Sequence, residues 1–186
     1  MLKGSWLQMS ALFCALALSA CDTAGFKRSY MALDGEGDRR REVFFTDTEG
    51  IFCVAELASG VADVTVRADF EQRTLFSPAD GSILRLQRFV GSAELAPGVG
   101  EDLVAAFELQ RSTADEPYVA GEYACLLYLN GKLESELTFE IHYPACPVAP
   151  VEAGVRCAGF VIEGSVCAGL VGEDCICAGG GSWECS

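Results

Sequence analysis

Residues 63–71 read DVTVRADFE, and their reading decides the fold. Val64, Val66, Ala68 and Phe70 fall on one side of an extended chain, and Thr65, Arg67, Asp69 and Glu71 on the other. Strict alternation is the mark of a half-buried strand with one wet face. LESELTFEIH, residues 133–142, repeats it: Leu133, Ser135, Leu137, Phe139 and Ile141 oppose Glu134, Glu136, Thr138, Glu140 and His142. Working outward, IFCVAEL, SILRLQRFV, DLVAAFELQ and EYACLLYLN supply further strands, parted by turns such as SPADGS and APGVGED. Asn130-Gly131 between two such runs predicts a tight hairpin, because both central positions of a type I′ turn need positive φ. No long helical period interrupts residues 42–143, so the expected class is all-β: about seven short antiparallel strands, enough for a β-sandwich.

GEYAC, residues 121–125, refines this. Gly121, Tyr123 and Cys125 resemble the Gly-x-Tyr-x-Cys of the F strand in immunoglobulin-like domains. The resemblance implies an immunoglobulin-like antiparallel sandwich over residues 42–143, a tyrosine that caps a corner, and a bridge from Cys125 to a strand B cysteine. Cys53, in IFCVAEL, is placed as that partner. The family's core tryptophan is missing after Cys53, which leaves smaller side chains or Phe70 to fill its place.

Residues 144–186 form a tail of another kind, small and glycine-rich, with Cys146, Cys157, Cys167, Cys175, Cys177 and Cys185. Such a segment buries too little apolar surface to hold itself, and disulfide staples are the natural solution. Six cysteines allow fifteen pairings, among which sequence does not choose. The Cys-x-Cys…Trp-x-Cys ending resembles small cysteine-rich modules at the ends of bacterial surface lipoproteins.

The chain opens with Lys3, then the apolar run ALFCALALSA, residues 11–20, then Cys21 and Asp22. A charged start, a short apolar core and small residues make a secretory signal, and the run is shorter than the roughly 20 residues a membrane span requires. Leu18-Ser19-Ala20-Cys21 resembles the lipobox of bacterial lipoproteins. That resemblance implies cleavage before Cys21, lipidation of its sulfur, and a body held at the inner or outer membrane of a bacterial envelope, in the periplasm or at the cell surface. Two or three acyl chains hold firmly where one gives only marginal binding. Residues 21–41, rich in Gly, Asp and Arg, read as the lipidated cysteine and a flexible tether. Asp34, Glu36 and Asp38 hint at a calcium loop, but the other ligands of an EF-hand are missing.

A formal net charge of −14 repels phosphate backbones and argues against nucleic acid as a partner. The single histidine, His142, sits in the solvent-side register of a strand, without a nucleophile in view. The tail carries no histidine and only one close cysteine pair, Cys175-Ile176-Cys177, so disulfides are favoured over zinc or thiol exchange. The expectation is a non-enzymatic envelope lipoprotein serving binding, adhesion or structure, with no cofactor. Its membrane contact is the lipid on Cys21; a protein or glycan partner would dock on loops around Thr74–Gly81 and Ser92–Asp102. The alternatives are an envelope-polymer hydrolase working through acidic residues, and thiol or metal handling by the tail.

Overall fold

The computed structural model describes residues 25–186 apart from 59–63, 78–79, 96–103, 112, 114–115, 145, 148 and 158. The expected signal segment, residues 1–20, and Cys21 lie outside the described residues. Among the described residues every regular element is a strand. Eight strands build the body: β1 (Phe26–Ala32), β2 (Val43–Phe45), β3 (Phe52–Leu57), β4 (Val66–Phe76), β5 (Ile83–Leu95), β6 (Val104–Glu108), β7 (Gly121–Leu129) and β8 (Lys132–His142). Three short ones, β9 (Val166–Ala168), β10 (Asp174–Cys177) and β11 (Trp183–Cys185), form the tail's own sheet.

The body has two sheets, ordered β1-β3-β6 and β2-β8-β7-β4-β5. All pairings are antiparallel except that of β2 with β8, which is parallel and departs from the all-antiparallel expectation. β4 follows the alternation of the sequence along its whole length, inward residues buried and outward residues half-buried. Val66, Ala68 and Phe70 from β4, Cys53 and Ala55 from β3, Phe107 from β6, and Cys125, Leu127, Phe139 and Ile141 from β7 and β8 meet in one core between the sheets. Asn130 and Gly131 both take positive φ, 50° and 80°, at the β7–β8 turn. The Asn130 side chain accepts the Thr65 N–H, and its own N–H donates to the Thr65 carbonyl, which ties the hairpin to the start of β4.

Residues 26–32, expected inside the tether, are instead the edge strand β1, paired with β3 from Phe26↔Leu57 to Ala32↔Phe52. Met31 and Ala32 are buried there. A register shift between Phe26 and Arg28 breaks the alternation that would have betrayed this strand. Only residues 22–25 remain to link Cys21 to the body.

The tail packs onto one end of the body rather than standing apart. Trp183, Phe160, Val151 and Val161 share a second core with Phe76 of β4 and Ala120, just before β7. Phe76 stacks on Phe160, ring centroids 5.3 Å apart, and the Tyr143 N–H donates to the Phe160 carbonyl at 2.7 Å. One strand therefore feeds both cores: β4 gives Phe70 to the first and Phe76 to the second, with buried Gln72 and Thr74 between them.

At the start of β7 the Tyr123 hydroxyl donates to the Val119 carbonyl at 2.8 Å, and its ring stacks on Phe139. Burial pushes the Tyr123 phenol well above its usual value of 10.0, with nearby Arg88 opposing the shift. A raised folded value stabilises fully below the unfolded value; above it the unfolded chain loses its proton first. The unfolding free energy is expected to fall by up to about 1.4 kcal/mol per pH unit once pH exceeds about 10. Urea titrations at pH 9 to 11 check this, and Tyr123→Phe should flatten the slope.

Candidate functional site

A cleft of about 820 Å³ opens where the edge strand of the small sheet passes beside the edge of the large one. Ser29, Tyr30 and Met31 of β1 form one wall, and Glu136, Leu137 and Thr138 of β8 the other. Residues 40–43, crossing from β1 to β2, close one end. The Ser29 and Ser135 hydroxyls meet across the seam at 2.7 Å.

A polar node fixes the β1 wall. Glu56 accepts from the Tyr30 hydroxyl at 3.0 Å and from Arg28 Nε at 3.0 Å, and Arg40 reaches it at 3.4 Å. The Arg40 guanidinium also lies over the Tyr30 ring, 3.8 Å from its centroid. The Tyr30 hydrogen bond, with Arg28 and Arg40, holds the Glu56 carboxyl below the usual carboxylate range, and burial together with Glu56 raises the Tyr30 phenol. Solvent-exposed pairs contribute little stability. Their effect here is positional: they hold Arg40 at the cleft mouth.

A second hollow of about 430 Å³ adjoins the first and is lined by Glu42, Arg73, Glu122, Thr138 and Glu140. Glu122 and Glu140 are direct cross-strand partners, which sets two carboxylates side by side. His142 Nε2 lies 2.7 Å from Glu140 Oε2, and its ring is 5.4 Å from Phe160. His142 is half-buried, not exposed as its register implied, because the tail covers that end of β8.

All eight cysteines among the described residues are paired. Cys53 and Cys125 join the two sheets with Cα atoms 6.5 Å apart. In the tail the pairs are Cys146–Cys167, Cys157–Cys177 and Cys175–Cys185. Cys175 and Cys177 thus belong to different bridges, and the proximity of Glu173 to Cys175 and Cys185 surrounds sulfurs already bonded to each other. Asp34 accepts from Arg39 Nε at 2.8 Å and from the Asp38 N–H at 2.9 Å, and the Arg39 contact lowers its carboxyl pKa. Its carboxylate closes a turn.

The two loops expected to form one docking surface are described only in part. Thr74–Phe76 belongs to β4 and Ser92–Leu95 to β5, and residues 78–79 and 96–103 lie outside the described residues. Their described parts lie at opposite ends of the β4–β5 ladder, Thr74–Phe76 beside Arg85–Ile83 and Ser92–Leu95 beside Asp69–Val66. Sequence reasoning also missed the cleft, since it depends on β1 and β2, neither of which alternates.

The four disulfides among the described residues indicate an extracellular or envelope location. No protein-family model matches the sequence, and no curated protein matches it. Among solved structures, the Pseudomonas fluorescens alkylpurine DNA glycosylase AlkC, bound to DNA containing an abasic site analog, aligns over 63% of this chain at 14% identity and a TM-score of 0.33. The chain spans 30% of the length of that protein.

Proposed function

We propose that this is a lipid-anchored, non-enzymatic binding protein of the bacterial envelope, an immunoglobulin-like sandwich that holds its disulfide-stapled tail away from the membrane. The single observation that carries the reading is strand polarity. β1 begins at Phe26, close behind Cys21, at the end of the body where Leu57, Val66 and the Asn130-Gly131 turn also lie. The tail leaves from His142, at the other end, about 35 Å away by the length of β4. With acyl chains on Cys21, the near end meets the membrane and the tail faces outward.

Four features support the immunoglobulin-like reading. The sheet order corresponds to strands A-B-E against A′-G-F-C-C′, including the parallel β2–β8 pair. The Tyr123 hydroxyl reaches back to the Val119 carbonyl as a tyrosine corner does, and the cysteine bridge joins the strands in the B and F places. Phe70, in register with Cys125, stands beside that bridge where the family carries tryptophan.

The test is fractionation of cells expressing the chain and its Cys21→Ser form. Wild type should sediment with membranes and yield to a protease at tail residues first, whereas the Ser form should be recovered soluble if it is exported. A Cys21→Ser form whose processing and membrane association match wild type would refute the anchor. The hydrolase alternative rests on the Glu122–Glu140 pair, and turnover of an envelope glycan lost in Glu140→Gln would favour it.

A further inference from the structure

β2 covers only the end of β8, with Val43, Phe44 and Phe45 beside Glu140, Ile141 and His142. Upstream of Glu140 the same edge of β8 faces the 820 Å³ cleft. Its backbone direction follows from two bonds: the Glu140 N–H donates to the Glu42 carbonyl at 2.9 Å, and the His142 carbonyl accepts from the Thr46 N–H at 2.8 Å. In an antiparallel ladder, alternate residues direct both polar groups to the same edge. Pairing with β7 is regular from Glu136 to Ile141, so Glu136 and Thr138 also point their N–H and C=O away from β7. Among the described residues, neither has a backbone partner on that side.

The other edge of this sheet is guarded along its length, whereas here a stretch from Glu136 to Thr138 stays open between the Ser29–Ser135 contact with β1 and the pairing of β2 at Glu140. β5 carries extra residues at two register shifts against β4, and it bears Arg85 and Arg88. Bulges of this kind discourage strand addition. From Glu136 to Ile141, β8 has neither a bulge nor a proline. Arg41 lines the cleft, is exposed, and forms no ion pair among the described residues, in a chain of net charge −14. Glu136, also at the cleft, is already neutralised by Arg73 at 2.8 Å.

We propose that the open edge of β8 takes up an extended, acidic peptide segment of a partner protein. The segment adds parallel to β8 in line with β2, bonding to the backbone of Glu136 and Thr138 and placing a carboxylate at Arg41. Strand addition draws affinity from main-chain hydrogen bonds and specificity from alternate side chains. This inference does not depend on lipidation of Cys21.

The experiment uses the full chain in detergent micelles and an end-blocked hexapeptide of alternating valine and glutamate, with a valine–lysine hexapeptide as control. The glutamate peptide should bind and slow hydrogen exchange at the Glu136 and Thr138 amides. Thr138→Pro removes only the outward N–H and leaves the β7–β8 ladder paired; it should weaken binding at least tenfold. Arg41→Glu, an exposed change that keeps the edge intact, should weaken the glutamate peptide at least tenfold and reverse the preference toward lysine. The proposal is overturned if neither peptide binds, if binding ignores both substitutions, or if the two amides are protected without peptide in a concentration-dependent way, which would assign the edge to a second copy of this chain.

Discussion

Gly121→Ala is expected to destabilise the body on the order of 3–5 kcal/mol, lowering the thermal midpoint by about 10 °C or more. Gly121 opens β7 with φ at 155°, and a Cβ at this position would overlap the Thr74 carbonyl oxygen of β4. That oxygen belongs to backbone and cannot swing away. Thr74 also accepts the Glu122 N–H on its side-chain oxygen at 2.9 Å, so retreat of β4 would break a second contact. The strain falls where the body meets the tail, beside Ala120, and should loosen both cores together. Thermal unfolding of the full chain followed by circular dichroism is the measurement, with Glu122→Ala as the neighbouring control. A midpoint shared by Gly121→Ala and that control would contradict the close approach.

Removing the bridge between the sheets, with Cys53→Ala and Cys125→Ala together, should cost about 4 kcal/mol. Its sequence separation is 72 residues, so the unfolded chain regains much freedom when the link is cut. Each tail bridge spans only 10 to 21 residues and should be worth about 3 kcal/mol. The double substitution also leaves space beside Phe70, where Cys125 is its register partner. Urea midpoints of the double variant and of wild type measure the loss. A difference below about 1 kcal/mol would mean that the sheets are held by packing alone.

The strands that announced themselves in the sequence are those with one dry and one wet face for their whole length. β4 and the later part of β8 are of this kind, and so is the hairpin at Asn130-Gly131, whose residue types are dictated by positive φ. β1 stayed hidden because its register slips near Arg28. β2 stayed hidden because three residues cannot establish a period, and its place is set by β8. Gln72 and Thr74 masked the continuation of β4 toward Phe76, because they are polar residues in inward register. His142 was misplaced because Phe160 arrives from a segment with no sequence signal for where it packs. The cleft was illegible because it lies between two strands whose pairing is decided by tertiary contacts, and sequence periodicity reports only on single strands.

Because β4 serves two cores, a pull on the last residues of the chain is not borne by the tail alone. The load passes through the Phe76–Phe160 stack and the end of β8 into strands that lie along the line from Phe26 to the tail. Tension in that direction shears whole ladders of hydrogen bonds at once instead of peeling them one by one. Along the axis between its first strand and its cysteine-rich end, the fold is therefore expected to resist extension by shear rather than by peeling.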